Sequence, residues 1–130
     1  MDSINKLFDL AKQTRLNAYA PYSKFKVGAA ILTSTGNFYT GCNVENNSYP
    51  CGTCAEAGAI AAMIAGGDRE ITHILIMADT ECILPCGNCL QKIAEFGNAD
   101  TIIHSADTNK IVKTQKLRDI LPQAFVLKEN

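Results

Sequence analysis

Apolar positions recur at two different spacings along the chain, and the change from one to the other marks out its elements. Near the start, Ile4, Leu7, Phe8 and Ala11 fall at helical intervals behind the N-cap types Asp2 and Ser3, which predicts an amphipathic helix to about Asn17. A loop with Pro21 follows over residues 20–23. Residues 27–33 and 37–44 then read as two strands of a hairpin that closes near Gly36. After a polar, turn-rich stretch at 46–52, residues 55–65 are dense in Ala, Ile and Met and stop at Gly66 and Gly67. This predicts a helix apolar enough to be buried.

The nearly continuous apolar run at 71–77 fits a central strand covered on both faces. Leu90, Ile93, Ala94 and Phe96 predict a further helix behind residues 85–89, stopped by Gly97. Residues 101–104 and 111–113 read as two short strands, and 117–121 as a terminal helix. The order is α-β-β-α-β-α-β-β-α, without internal repeat or linker. It predicts an α/β fold, a three-layer α/β/α sandwich around a mixed five-stranded sheet, formed by one domain over residues 1–130.

Composition narrows the classes. The 130 residues are 47% hydrophobic and 19% charged, which fits a chain that buries a core and excludes disorder as the main state. Twelve basic and thirteen acidic residues leave a formal charge of −1, so no basic face is expected for a nucleic-acid polymer or an anionic membrane. The start, MDSINKLFDLAKQ, lacks the apolar stretch of a secretory leader, and the weakly polar run at 57–67 falls short of the roughly 20 residues that span a bilayer. A cytoplasmic, reducing setting is therefore expected, and there the six cysteines point to metal or redox chemistry rather than disulfides.

Their spacing is the main clue. Pro50-Cys51-Gly52-Thr53-Cys54 and Pro85-Cys86-Gly87-Asn88-Cys89 rhyme, and two C-x-x-C units alone are compatible with a structural zinc held by four cysteines or with dithiol exchange. The first unit, however, runs into Ala55 and Glu56, a carboxylate entering a helix otherwise almost free of charge. Cys54 and Glu56 serve one centre most easily if it lies beyond the helix N-terminus, with Cys86 and Cys89 reaching it from a second helix start. Three thiolates leave the fourth tetrahedral position open, which separates a catalytic zinc site from a closed structural one.

The Cys54-Ala55-Glu56 segment and the Pro85-Cys86-Gly87-Asn88-Cys89 segment resemble the C-x-E and P-C-x-x-C signature of zinc-dependent cytidine deaminases. The resemblance extends to residues 22–29, to Gly41-Cys42-Asn43-Val44-Glu45-Asn46 and to the tail at 121–125, and the length and order are similar to the small homotetrameric enzymes acting on free nucleosides. It implies one zinc per chain on Cys54, Cys86 and Cys89, hydrolysis at C4 of cytosine, and Glu56 as the proton carrier. It also implies that Ala55 contributes its backbone N–H to the pyrimidine, that Asn43 and Glu45 bind the ribose hydroxyls, and that Phe25 packs near the nucleoside. Phe125 would cover the base in a neighbouring subunit, making the active sites shared. A small nucleoside in pyrimidine salvage is the implied partner, with a modified nucleoside or nucleoside-like antibiotic as the sibling substrate.

Two departures stand out. Ala57 follows Glu56 where similar three-cysteine enzymes often carry an arginine that donates to the ligand sulfurs, and Lys26 stands where proline is common. Three thiolates on zinc leave a net negative set, which two helix N-termini of roughly +0.5 charge each would offset. Arg15, Arg69 and Arg118 are the three arginines of the sequence, and none adjoins a motif. Plainer roles also fit single residues: Glu56 as a first-turn acid, Asn43 and Glu45 as turn caps, Phe125 as a tail anchor on its own core, Cys51 as a loop thiol, and His73 and His104 as packing residues.

Overall fold

In the computed structural model, which describes residues 2–127, the chain runs α1 (Asp2–Arg15), β1 (Val27–Thr33), β2 (Phe38–Cys42), a 3-10 turn (Tyr49–Cys51), α2 (Ala55–Ala65), β3 (Ile71–Ala78), α3 (Gly87–Phe96), β4 (Ile102–Ala106), β5 (Ile111–Lys116) and α4 (Leu117–Ile120). The predicted order is observed. The hairpin strand expected at 37–44 is shorter, because beyond Cys42 the side chain of Asn43 takes over bonding to the β1 end of the chain.

The sheet is five-stranded in the order β2-β1-β3-β4-β5. β1 pairs antiparallel with both β2 and β3, β4 pairs antiparallel with β5, and β3 with β4 is the parallel pair, joined through α3. Successive side chains of a strand point to opposite faces, so an unbroken apolar run must be covered on both. Accordingly Ile74 and Ile76 pack into one core with Ile31 and Ile103, against Ala59 and Met63 of α2 and Ile93 of α3. Leu75 and Met77 pack into the other, with Ala30 and with Leu7 and Ala11 of α1. Three layers result, as predicted.

The Ala-rich α2 has its own reason for small residues. A Cβ placed on Gly41 would lie 2.2 Å from the Ala59 nitrogen and 2.5 Å from the Ala55 carbonyl oxygen. Glycine at that strand position lets α2 lie directly on β2, so its small side chains serve a helix-on-strand contact within the chain. Beyond α2, the buried carboxylate of Asp68 accepts hydrogen bonds from Thr35 Oγ1 at 2.6 Å, Asn37 Nδ2 at 2.9 Å and Tyr39 Oη at 2.8 Å. That ties the hairpin turn to the end of the helix. No helix among the described residues is long and apolar enough to cross a membrane.

Candidate active site

Both cysteine units end as helix starts. Cys54 is the N-cap of α2 and Cys86 the N-cap of α3, each with extended backbone, and neither side chain caps its own helix. N-caps are ordinarily Ser, Thr, Asp or Asn, whose oxygens bond the first free amides. A thiol caps weakly at best, and the Cys54 sulfur faces the sulfur of Cys89 across the two helix starts. Cys89 lies in the first turn of α3 and Glu56 in the first turn of α2, so the two helix starts meet over one cavity of about 220 Å³.

Within it, Cys54 Sγ lies 2.9 Å from Cys89 Sγ, and both sulfurs and a Glu56 carboxylate oxygen lie within 4.8 Å of one another. Cys86 lines the same cavity from its more exposed side, and Val27, Ile76 and Ile83 supply apolar wall. The hydrogen bond between the two sulfurs draws the Cys54 thiol below its ordinary range and pushes Cys89 above it. Glu56 is buried at 5% exposure, and loss of solvent raises its carboxyl to about 7.

The donor set suits zinc. Converging thiol sulfurs with an acidic oxygen beside them are the soft ligands and the proton-transfer group that a tetrahedral zinc centre uses, and their position at two helix N-termini favours thiolates. Cys51, in the exposed 3-10 turn, lies outside the cavity lining. Cys42 closes β2 at the sheet edge, and Cys82 is exposed in the loop before α3.

Asn43 reaches the cavity wall while its amide bonds backbone on both sides: Oδ1 accepts from the Val27 N–H at 2.8 Å and Nδ2 donates to the Phe25 carbonyl at 2.8 Å. Glu45 instead borders an adjoining hollow of about 400 Å³, with Tyr22, Ser23, Tyr49 and Thr53. Its carboxylate accepts from the backbone N–H groups of Tyr22 at 3.0 Å and Ser23 at 3.1 Å and from the Ser23 hydroxyl, which lowers its titration. The strand-end pair therefore organises the 20–27 loop that carries Phe25. Lys24, at φ 61°, takes the left-handed turn in that loop. Phe25 is 39% exposed, Ala55 is fully buried at the start of α2, and Phe125 is 71% exposed.

The sequence profile of the cytidine and deoxycytidylate deaminase zinc-binding region matches residues 1–105. The chain belongs to this family. It is 39% identical over 123 residues to a cytidine deaminase of Sporosarcina psychrophila, covering 94% of this chain and 90% of the relative, and 39% identical over 124 residues to one of Mycobacterium tuberculosis, covering 95% and 90%. The crystal structure of cytidine deaminase from Burkholderia pseudomallei superposes with a TM-score of 0.88 at 40% identity, over 93% of this chain and 98% of the other.

Within the family frame the missing arginine has no arginine substitute at the sulfurs. Arg15 donates through Nε to the Lys26 carbonyl at 3.1 Å, Arg118 pairs with Asp100, and neither they nor Arg69 line the cavity. The sequence marks Tyr22 only as part of the 22–29 segment of the resemblance, and it gives no local signal for the aromatic hollow that Tyr22 forms with Tyr49 or for the amide of Gln91.

Proposed function

We propose that the protein catalyses hydrolytic deamination of cytidine or deoxycytidine to uridine or deoxyuridine with release of ammonia, a reaction of pyrimidine salvage, as one catalytic domain over residues 1–130. The observation that carries this reading is the meeting of Cys54, Cys89 and the buried Glu56 at two helix starts over one cavity. Cys54, Cys86 and Cys89 are the residues that would hold zinc. When bound, zinc supplies an activated water as the nucleophile toward C4.

Glu56 carries the protons. Its carboxylate takes a proton from the attacking water, passes it to ring N3 so that C4 accepts the nucleophile, then takes the remaining hydroxyl proton and gives it to the departing amine. The balance is one water consumed and one ammonia released. Burial of Glu56 keeps bulk water from intercepting these transfers. The Ala55 N–H, at the start of α2, donates to the pyrimidine carbonyl.

Asn43 retains a lone pair and one amide hydrogen beyond its two backbone bonds, and Glu45 retains acceptor capacity beyond the loop, so both can serve ribose hydroxyls while holding Phe25 beside the sugar. The exposed Phe125 covers the base from a neighbouring subunit, and the working state in this reading is a cytoplasmic homotetramer with shared sites. The exposed apolar tail, with Val126 at 79% and Leu127 at 78%, supports a covering partner.

The test is a panel of free nucleosides, including modified cytosine nucleosides, followed by ammonia release and ultraviolet change with and without a zinc chelator. Chelator-sensitive turnover of cytidine or deoxycytidine is expected. Turnover confined to modified nucleosides would move the substrate assignment, and no turnover of any cytosine nucleoside would overturn the reading.

A further inference from the structure

Gln91 lies two residues beyond Cys89 on α3, and both ends of its side-chain amide are used by one residue of the tail, 34 positions away. Its Nε2 donates to the Phe125 carbonyl oxygen at 3.0 Å, and its Oε1 accepts from the Phe125 N–H at 3.2 Å. A primary amide presents a donor and an acceptor side by side, so it can satisfy both main-chain groups of one residue as a neighbouring strand would. The side chains behave differently. Phe125, Val126 and Leu127 are each more than two-thirds exposed. A backbone held at both polar groups, with three large apolar side chains facing outward, is unlike a frayed terminus.

We propose that Gln91 is a positioning residue for the nucleoside reaction, acting by gripping both backbone groups of Phe125 so that its ring is set in place before substrate arrives. The inference rests on the assignment of Phe125 as the residue that covers the base. An unordered tail would have to be fixed at the moment of binding, and that entropy would weaken substrate affinity. With the clamp, the ordering is complete in the free enzyme. The effect falls on KM, because the amide touches neither the reacting atoms nor the sulfurs. Since Gln91 shares α3 with Cys86 and Cys89, the tail is also registered to the helix that carries two of the metal ligands.

The experiment compares zinc-loaded wild type with Gln91→Ala, Gln91→Glu, Phe125→Ala and the Gln91→Ala/Phe125→Ala double variant, measuring KM, kcat, zinc content and hydrogen exchange at the Phe125 amide. Gln91→Ala is expected to raise KM for the cytosine nucleoside about 5- to 10-fold, as for loss of one to two exposed hydrogen bonds, with kcat within about twofold and zinc content unchanged. The Phe125 amide should lose protection. Gln91→Glu still accepts from the Phe125 N–H but offers no donor to its carbonyl, so its KM should fall between. The double variant should be no worse than Phe125→Ala alone.

If Phe125→Ala leaves KM unchanged, the assignment of Phe125 fails and takes this proposal with it. If Phe125→Ala raises KM while Gln91→Ala changes neither KM nor exchange, the clamp alone is overturned. A Gln91→Ala defect in kcat or zinc content with KM unchanged also overturns it, placing the residue in the packing of α3.

Discussion

His73 Nδ1 lies 3.0 Å from His104 Nε2 across the parallel β3–β4 pair, with the two rings only 3° from parallel. The second nitrogen of His104 continues the chain to Thr114 Oγ1 at 2.9 Å on β5. One ring must donate and the other accept, so the contact does not tolerate protonation of both rings. Burial lowers the pKa of His73, and burial together with the charge of His73 lowers His104 to about 4. The unfolded chain, with histidine near its ordinary value of about 6.5, therefore binds protons that the folded one refuses.

Stability is expected to be intact above about pH 6.5 and to decline as pH falls toward 4. The contribution is on the order of 1–2 kcal/mol after allowing for solvent screening. Thermal unfolding of wild type against His104→Gln across this window checks it. The variant should lose the part of the slope between pH 6.5 and 4, and parallel curves would rule the pair out as the cause.

Gly41 and Gly58 face the same α2–β2 contact with opposite consequences. A methyl on Gly41 would strike the α2 backbone at 2.2 Å, whereas one on Gly58 meets its nearest atoms at an ordinary 3.6 Å. Gly41→Ala should destabilise by roughly 1–3 kcal/mol through forced separation of helix and strand. Gly58→Ala should be neutral or gain up to about 1 kcal/mol from helix propensity. Calorimetric midpoints decide, and equal midpoints for the two variants would contradict the packing described.

Replacing Glu56 by Gln retains side-chain size and removes the proton carrier. Turnover of the cytosine nucleoside should fall by at least about 100- to 10,000-fold, with zinc stoichiometry and unfolding temperature close to wild type. A variant turning over at near-normal rate would remove Glu56 from the mechanism.

The cysteines divide by position. Cys89→Ser should weaken zinc binding by at least about 100-fold, measured by chelator competition, because its sulfur lies in the cluster with Cys54. Cys51→Ser should leave metal content and activity within about twofold, since that thiol lies outside the cavity. Zinc release from Cys51→Ser would favour a closed four-cysteine site instead.

Much of this was legible in the chain. The apolar run ending at Met77 announced a strand covered on both faces, and the two cysteine units with Glu56 announced a site at helix starts, because both signals are local. What escaped depends on contacts between residues distant in sequence. His73 and His104 each read as an isolated packing residue until the parallel register, which sets His73 opposite Ile102 and His104 opposite Leu75, brought them diagonally together on one face. Gln91 carries no local signal in the sequence, since its partner in the tail lies 34 positions away, and Glu45 read as a ligand-facing group before its bonds to the Tyr22 and Ser23 amides were visible.

Cys54 and Cys89 are 35 positions apart, one following the opening hairpin and the other lying on the crossover between β3 and β4. Neither fragment alone can assemble the donor set. A spectroscopic titration with a thiolate-sensitive ion such as cobalt would thus report completed chain assembly as well as occupancy, and truncation anywhere between the two sulfurs should abolish its tetrahedral signature.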